Sequence, residues 1–136
     1  MNEKELSREH ILNEVRNSPH NKIKVAITDI DGVLRGKLMR KDKFLSAVEG
    51  GFGFCDVVFG WDSSDVAYDN ATYTGWHTGY PDAQARIDLS TFRLVPWDDD
   101  VPFFLADFVD EKEKPLGVCP RCLLKTVKAK SEKMGY

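Results

Sequence analysis

Residues 55–69, CDVVFGWDSSDVAYD, join an apolar run to a loop of carboxylates and hydroxyls. The first five residues are rich in apolar and β-branched side chains, which predicts a half-buried strand, and Gly60 ends the run. Three aspartates then fall within eight residues, namely Asp62, Asp65 and Asp69. Because Asp and Ser also dominate solvated turns, the pattern predicts either an ordinary turn or a site that receives cations or ammonium-like groups.

The size and charge of the chain narrow its class. A length of 136 residues predicts one hydrophobic core. The net charge is −3 with both signs interspersed, so we expect neither nucleic acid nor a membrane as partner. The first ten residues, MNEKELSREH, lack the apolar core of a signal peptide, which predicts a cytoplasmic protein. Three cysteines without an export signal predict free thiols.

Periodicity in the first part of the chain predicts a helix followed by a hairpin. Residues 22–30 alternate as a strand, Asp31-Gly32 marks a turn, and residues 36–40 form a second short strand. Before them, residues 2–17 are expected to form an amphipathic helix with one apolar face, lined by Leu6, Ile11, Leu12 and Val15. A hairpin needs no crossover helix, so this part of the sheet is expected to be antiparallel.

The remaining pattern predicts a mixed α+β fold rather than alternating β-α units. Asp42 is expected to cap a helix over residues 43–49, which the Gly50-Gly51 pair ends. Residues 70–83 have no clear period and predict a long irregular loop. The last predicted elements are short strands over residues 85–89 and 93–97, a stronger strand over 103–109 and a closing helix over 123–134.

Residues 27–34, ITDIDGVL, match the nucleophile motif of haloacid-dehalogenase-type phosphatases when taken alone. In such an enzyme Asp29 attacks phosphorus, Asp31 acts as general acid and base, and a magnesium ion binds between them. The remaining sequence lacks the crossover helices of that fold, and prolines flank the acidic run at residues 98–100. A hairpin with Asp31 and Gly32 at its tip is therefore the preferred interpretation.

Two other motifs admit a chemical role and a structural one. Residues 119–122, CPRC, precede a predicted helix as in thioredoxin-like proteins, but only a helix follows and a zinc site needs two more ligands. We therefore prefer the interpretation that Cys119 and Cys122 are packing or surface thiols. His77 is a possible ligand or proton shuttle, and a structural role is again preferred. Five aromatic residues either line a ligand surface or anchor the long loop: Trp61, Tyr68, Tyr73, Trp76 and Tyr80.

Four stretches, in this order and spacing, resemble the N-terminal domain of the glutamine synthetase family. They are residues 29–44 (DIDGVLRGKLMRKDKF), 57–64 (VVFGWDSS), 85–97 (ARIDLSTFRLVPW) and the pair 103–108 and 115–125 (FFLADF and PLGVCPRCLLK). The resemblance implies a β-grasp-like curved mixed sheet packed against one or two helices. It places this domain at residues 22–136, after an N-terminal helix over residues 1–21.

The same resemblance implies an activity for a longer enzyme. The family makes glutamine or a γ-glutamyl amide from glutamate, ATP and ammonia or an amine, with magnesium or manganese holding the phosphates. Its active sites lie between neighbouring subunits of a ring-shaped homo-oligomer. The family's catalytic domain is absent from these 136 residues, so we expect the isolated chain to be inactive and to need that domain and neighbouring subunits as partners. A stand-alone interaction module is the alternative from another class.

The resemblance also assigns roles to residues of the acidic loop. The family's Asp-Gly-Ser-Ser pattern corresponds to Asp62, Ser63 and Ser64, and its aspartate binds ammonium and removes a proton. Here the glycine after the aspartate is missing, Trp61 precedes it and Asp65 follows the serines. Asp65 is therefore the alternative functional carboxylate. The family pattern also includes Gly32, Arg35, Gly36 and Lys37, and it makes the cysteines incidental.

Overall fold

The computed structural model describes residues 3–136, with side chains described from residue 7 onward. The helices are α1 (Glu3–Asn17), α2 (Lys41–Gly50) and α3 (Pro120–Lys133). The strands are β1 (Lys22–Thr28), β2 (Leu34–Arg40), β3 (Phe52–Cys55), β4 (Asp82–Val95) and β5 (Val101–Val109). Two short 3₁₀ helices cover Asp56–Phe59 and Pro96–Asp98.

The five strands form one mixed sheet in the order β2-β1-β5-β4-β3. β1 and β5 are parallel, with Val25 opposite Phe104, whereas β3 and β4 are antiparallel, with Phe52 opposite Ala85. β1 and β2 are neighbours, as the predicted hairpin requires. The fold is thus the predicted α+β, β-grasp-like class, and the helix predicted over residues 2–17 is confirmed from Glu3 to Asn17. Asn2 and the side chain of Leu6 lie outside the described part.

The chain divides into two compact units. The first comprises the described residues up to Ile27 together with Gly36–Gly51 and Arg86–Ala106. Its core joins α1, α2 and the sheet: the rings of Phe44 and Phe104 lie 4.7 Å apart. Other buried side chains of this unit are Ile11, Leu12, Val15, Ile23, Val25 and Ala47.

The second unit comprises Thr28–Arg35, Phe52–Ala85 and Asp107–Tyr136. Phe59 is central to its core, with ring centroids 4.8 Å from Phe108 and 5.7 Å from Tyr73. Helix α3 is part of this unit and has no buried residue among those described. Its apolar side chains Leu123, Leu124 and Val127 are more than half exposed.

The strand predicted at residues 55–59 is wrong. The strand lies earlier, at Phe52–Cys55, and Asp56–Phe59 form a 3₁₀ turn. The physical reason is that both Val58 and its neighbour Phe59 are buried, whereas a half-buried strand alternates its faces. Asp56 is buried as well, and its carboxylate accepts a hydrogen bond from the Thr74 hydroxyl.

Two smaller predictions also need correction. The short strands expected at residues 85–89 and 93–97 are replaced by one strand of 14 residues, β4, which ends at Val95, and Pro96 and Trp97 lie in the 3₁₀ helix that follows. Helix α2 begins at Lys41 after Arg40, whose side chain makes no capping hydrogen bond, so Asp42 lies in the first helical turn instead of capping it. Hydrogen bonding from the Lys43 backbone lowers the pKa of Asp42, as expected for a carboxylate at a helix N-terminus. Among residues 3–136, none of the helices has the length and apolar character that crossing a lipid bilayer requires.

Candidate functional site

The acidic loop predicted from the sequence forms a miniature hairpin. Trp61 and Ala67 pair as an antiparallel bridge. Inside this pair, the Asp62 N–H donates to the Val66 carbonyl at 3.0 Å, and the Asp65 N–H donates to the Asp62 carbonyl at 3.1 Å. The loop therefore has an ordered turn at its tip, formed by the residues that the family pattern singles out.

Asp62 stabilises this turn with one carboxylate oxygen. Its Oδ1 accepts hydrogen bonds from the backbone N–H groups of Ser64, at 2.8 Å, and Val66, at 3.0 Å. These bonds hold the side chain in one orientation, as in an Asx turn. The carboxylate is half-buried, whereas Ser63 and Ser64 are exposed. None of the hydrogen bonds recorded within the described residues uses Oδ2 of Asp62, so this oxygen remains able to receive a cation.

Asp65, the alternative carboxylate, has a different environment. Its backbone is left-handed, with φ of 65°, a conformation that Asp and Asn adopt more readily than most residues. Its Oδ1 accepts a hydrogen bond from Nη1 of Arg35. The charge of Asp65 is thus paired within the protein.

Arg35 connects the loop to the β1-β2 turn through Asp29. The Asp29 side chain is completely buried, and its Oδ2 accepts a hydrogen bond from Nε of Arg35 at 2.8 Å. Its Oδ1 accepts bonds from the N–H groups of Asp31, at 3.0 Å, and Val33, at 2.8 Å. Three donors therefore compensate the loss of hydration that burial of this carboxylate causes. The Asp29 bond also raises the pKa of Arg35 above its ordinary value.

The aromatic side chains of the loop surround these charges. The guanidinium carbon of Arg35 lies 4.7 Å from the ring centroid of Trp61, within range of a cation–π interaction. The Trp61 Nε1 atom is buried without a hydrogen-bond partner among the described residues. Desolvation, together with the negative charges of Asp31, Asp62 and Asp29, raises the pKa of the partly exposed Tyr68. Tyr68 therefore stays a neutral phenol beside Asp62.

Two backbone contacts position the loop and the turn on the rest of their unit. The Ile30 N–H of the turn donates to the Val58 carbonyl at 2.9 Å, and the Tyr68 N–H donates to the Gly60 carbonyl at 2.8 Å. At Gly60 a Cβ atom would lie 2.9 Å from a methyl group of Thr74, so no larger residue fits without a shift. The glycine that ends the apolar run is thus required by packing.

The geometry does not support the phosphatase interpretation of ITDIDGVL. A nucleophilic carboxylate must reach the phosphoryl group of a substrate. Asp29 is completely buried, and both of its oxygens accept hydrogen bonds from the protein. The Gly32 N–H donates to the Asp29 carbonyl at 3.0 Å, which closes the hairpin turn predicted at this position.

The CPRC motif forms a cluster with an acidic residue. One carboxylate oxygen of Asp107 and the sulfurs of Cys119 and Cys122 lie within 4.8 Å of one another. However, Asp107 is already paired with Arg121, at 2.6 Å, and with Lys125. Burial and the neighbouring Cys119 thiol raise the pKa of Cys122 to about 12, so at neutral pH it is a protonated thiol and a poor nucleophile. All three cysteines of the chain are free.

His77 and the remaining aromatics make contacts within the long loop itself. Nε2 of His77 lies 3.1 Å from the Thr72 carbonyl, which supports the preferred structural role. Trp76 packs edge-on against Tyr80 at 5.2 Å while remaining 88% exposed. These contacts order the loop but do not bring either aromatic to Asp62 in any recorded interaction of the described residues.

A cavity of about 590 Å³ in the same unit has an acidic lining that includes Asp82, Asp110 and Glu113. One of these carboxylates has a structural role. Asp110 accepts hydrogen bonds from the backbone of a turn at Lys112 and Lys114. Residues of the Asp62 loop do not line this cavity, so we do not assign it to the candidate site.

The fold and the loop together define the class: an α+β, β-grasp-like domain that presents a fixed carboxylate at a loop tip. No family model matches the chain. It is 57% identical over 117 residues to a type-1 glutamine synthetase 2 from Dictyostelium discoideum, covering 86% of this chain and 22% of that protein. It is also 40% identical over 115 residues to a glutamate–isopropylamine ligase from Pseudomonas sp, covering 84% and 25%.

A solved structure shows the same fold. A GmaS complex with ADP superposes with a TM-score of 0.66 at 22% identity, covering 91% of this chain and 26% of that one. The predicted resemblance is therefore confirmed: the chain corresponds to an N-terminal domain of the glutamine synthetase family. It spans only about a quarter or less of the length of these relatives.

Proposed function

We propose that this domain supplies Asp62 to the active site of a glutamine-synthetase-like, ATP-dependent ligase. The reaction joins ammonia or an amine to the γ-carboxyl group of glutamate. The observation that carries the proposal is the geometry of Asp62, which is fixed at an exposed loop tip through Oδ1 while Oδ2 remains available. A carboxylate in this position attracts an ammonium-like cation and accepts its proton as the nitrogen becomes a nucleophile.

The contacts of the two candidate carboxylates favour Asp62 over Asp65. Asp65 is engaged by the Arg35 guanidinium, so a second cation gains less from it than from an unpaired carboxylate. Ser63 and Ser64 lie exposed on the same turn and are proposed to contact the substrates or the opposing surface. We therefore assign the proton-accepting role to Asp62 and a structural role to Asp65.

The remaining parts of the proposal concern the whole ligase. Its catalytic domain and the neighbouring subunits of a ring-shaped homo-oligomer are the proposed partners of this domain. ATP and magnesium or manganese are proposed to bind that catalytic part, and we assign no ligand for them to residues 3–136. We further propose that residues 22–136 form the domain proper, that residues 1–21, which contain α1, are an N-terminal addition to it, and that the domain alone is inactive.

The test is a hybrid enzyme. The matching segment of the Dictyostelium glutamine synthetase relative is replaced by this chain, and ATP-dependent amide formation from glutamate is measured with ammonium and with isopropylamine. We expect Asp62→Asn to lower kcat/KM for the nitrogen substrate by about a hundredfold or more, the usual range for loss of a general base. Testing both ammonium and isopropylamine identifies the nitrogen substrate that the hybrid uses.

Asp69→Asn is the matched control, because Asp69 is an exposed aspartate of the same stretch. It should leave kcat/KM within about twofold of the unmodified hybrid. Full activity of Asp62→Asn would refute the assignment of Asp62. A hybrid that folds and assembles but has no activity with either amine would refute the proposed function.

A further inference from the structure

The guanidinium group of Arg35 makes three polar contacts, which reach two separate segments. Nε donates to the buried Asp29 at 2.8 Å, and Nη1 donates to Asp65. Nη2 lies 3.5 Å from the carbonyl oxygen of Asp62, a weaker contact. Arg35 itself is only 18% exposed at the side chain, so these contacts are partly shielded from water.

Asp29 is suited to anchor this arginine. It has no exposed surface, and its other oxygen is held by two backbone N–H groups of the β1-β2 turn. A carboxylate held in this way is fixed relative to the β1-β2 turn. The arginine is therefore fixed at its Nε end and presents its two Nη atoms to the loop in the planar fork that guanidinium geometry imposes.

We infer that Arg35 is a positioning residue that fastens the Asp62 loop to the β1-β2 turn and leaves Asp62 as the carboxylate that the loop offers to substrate. Only the second part of this inference, that Asp62 is offered to substrate, rests on the proposed function. Arg35 neutralises Asp65, three residues from Asp62, and covers the face of Trp61. One side chain thus sets both the position of the loop and the carboxylate that stays unpaired.

The first experiment measures amide hydrogen exchange by NMR in the 136-residue chain. Asp65→Asn removes the negative charge that Arg35 contacts in the loop and leaves the Asp29–Arg35 pair intact. Asn also tolerates the φ of 65° at this position. We expect exchange of the Ser64 and Val66 amides, which bond to Asp62, to accelerate at least fivefold. Arg35→Lys, which cannot contact Asp29 and Asp65 with one planar fork, should produce the same local effect.

Arg40→Lys is the matched control, because Arg40 lies on the same strand and pairs with Asp42 rather than with the loop. It should leave the Ser64 and Val66 rates unchanged. Unchanged rates in both Asp65→Asn and Arg35→Lys would refute the inference. So would a uniform acceleration at all amides in Arg35→Lys together with no effect of Asp65→Asn, since that pattern shows a role in global stability alone.

The hybrid enzyme adds a readout that a purely structural role does not change. If the contact between Arg35 and Asp65 only raises the fraction of loops in the binding-competent position, Asp65→Asn should raise KM for the nitrogen substrate at least threefold. The same substitution should change kcat less than twofold. A fall in kcat with unchanged KM would contradict positioning. Inactivity of the unmodified hybrid refutes the proposed function, whereas the exchange measurement tests independently whether Arg35 positions the loop.

Discussion

Cys122 shows how the surroundings of a residue determine its chemistry. A CxxC motif at a helix N-terminus ordinarily favours a thiolate, because the helix dipole stabilises negative charge. Here burial, the Cys119 thiol and the negative charge of Asp107 act in the opposite direction and together raise the pKa of Cys122 to about 12. The positive charge of Lys125 lowers this pKa, but its effect is smaller. The protonated thiol is therefore the form that the fold favours.

This shift predicts slow alkylation. At pH 8 Cys122 should react with iodoacetamide about three orders of magnitude more slowly than a thiol of ordinary pKa, and the rate should rise tenfold per pH unit. Peptide mass spectrometry after timed quenching measures this rate. Because the folded pKa lies above the unfolded one, the contribution of this thiol to stability is present below the unfolded pKa and is lost as pH rises toward 12.

The urea-denatured chain is the reference, since Cys122 should react there at the ordinary rate. A Cys122→Ser variant confirms the assignment of the modified peptide and should lose less stability than the original chain on raising the pH. Equal alkylation of Cys122 in the folded and unfolded chains at pH 8 would contradict the shift.

The site was predictable from the sequence only in part. Asp62, its serines and Asp65 stand together in the chain, so their shared loop was evident. Arg35 was noticed only as part of a family pattern, because its partner Asp65 is 30 residues away and no local period links the two. For the same reason the sequence leaves the choice between Asp62 and Asp65 open, and the preference for Asp62 is part of the proposal that the Arg35–Asp65 contact supports.

At the scale of elements, local sequence pattern predicted some helices and strands correctly and failed for others. The hairpin and α1 were predicted because apolar and polar positions repeat with a regular period, and β5 because its apolar and aromatic run is bounded by aspartates. The 3₁₀ turn at Asp56–Phe59 was mistaken for a strand because a short apolar run does not distinguish the two. β4 was divided in two because residues such as Ser90 and Thr91 interrupt its apolar pattern.

The end of α2 provides a test of backbone conformation. Gly51 has φ of 74° and ψ of −174°, a region essentially restricted to glycine, and its N–H donates to the Ala47 carbonyl at 2.7 Å. Gly51→Ala should therefore lower the free energy of unfolding by about 1–3 kcal/mol. Urea denaturation followed by circular dichroism measures the change.

Gly50 is the matched control because it is the last helical residue and a Cβ atom there meets nothing within 4 Å. Gly50→Ala should leave stability unchanged or raise it by roughly 0.5–1 kcal/mol. Equal effects of the two substitutions would show that the conformation at Gly51 is not the cause.

At the scale of the whole molecule, the topology was less predictable than the fold class. The parallel pair of β1 and β5 joins strands that are far apart in sequence, and no local signal identifies such a partner. The family resemblance implied a mixed sheet without naming which strands pair, so the partnership of β1 and β5 comes from the structure alone. The exposed apolar residues of α3 also differ from the usual amphipathic expectation for a helix in a small domain.

The buried contact between Asp29 and Arg35 has an evolutionary consequence. Loss of Arg35 would leave a completely buried carboxylate with one strong donor fewer, whereas loss of Asp29 would release the arginine from its anchor. In an alignment of related domains, the two positions should therefore change together or not at all. The exposed pair of Arg40 and Asp42 should vary independently, and independent variation at both pairs would show that selection does not maintain the anchor.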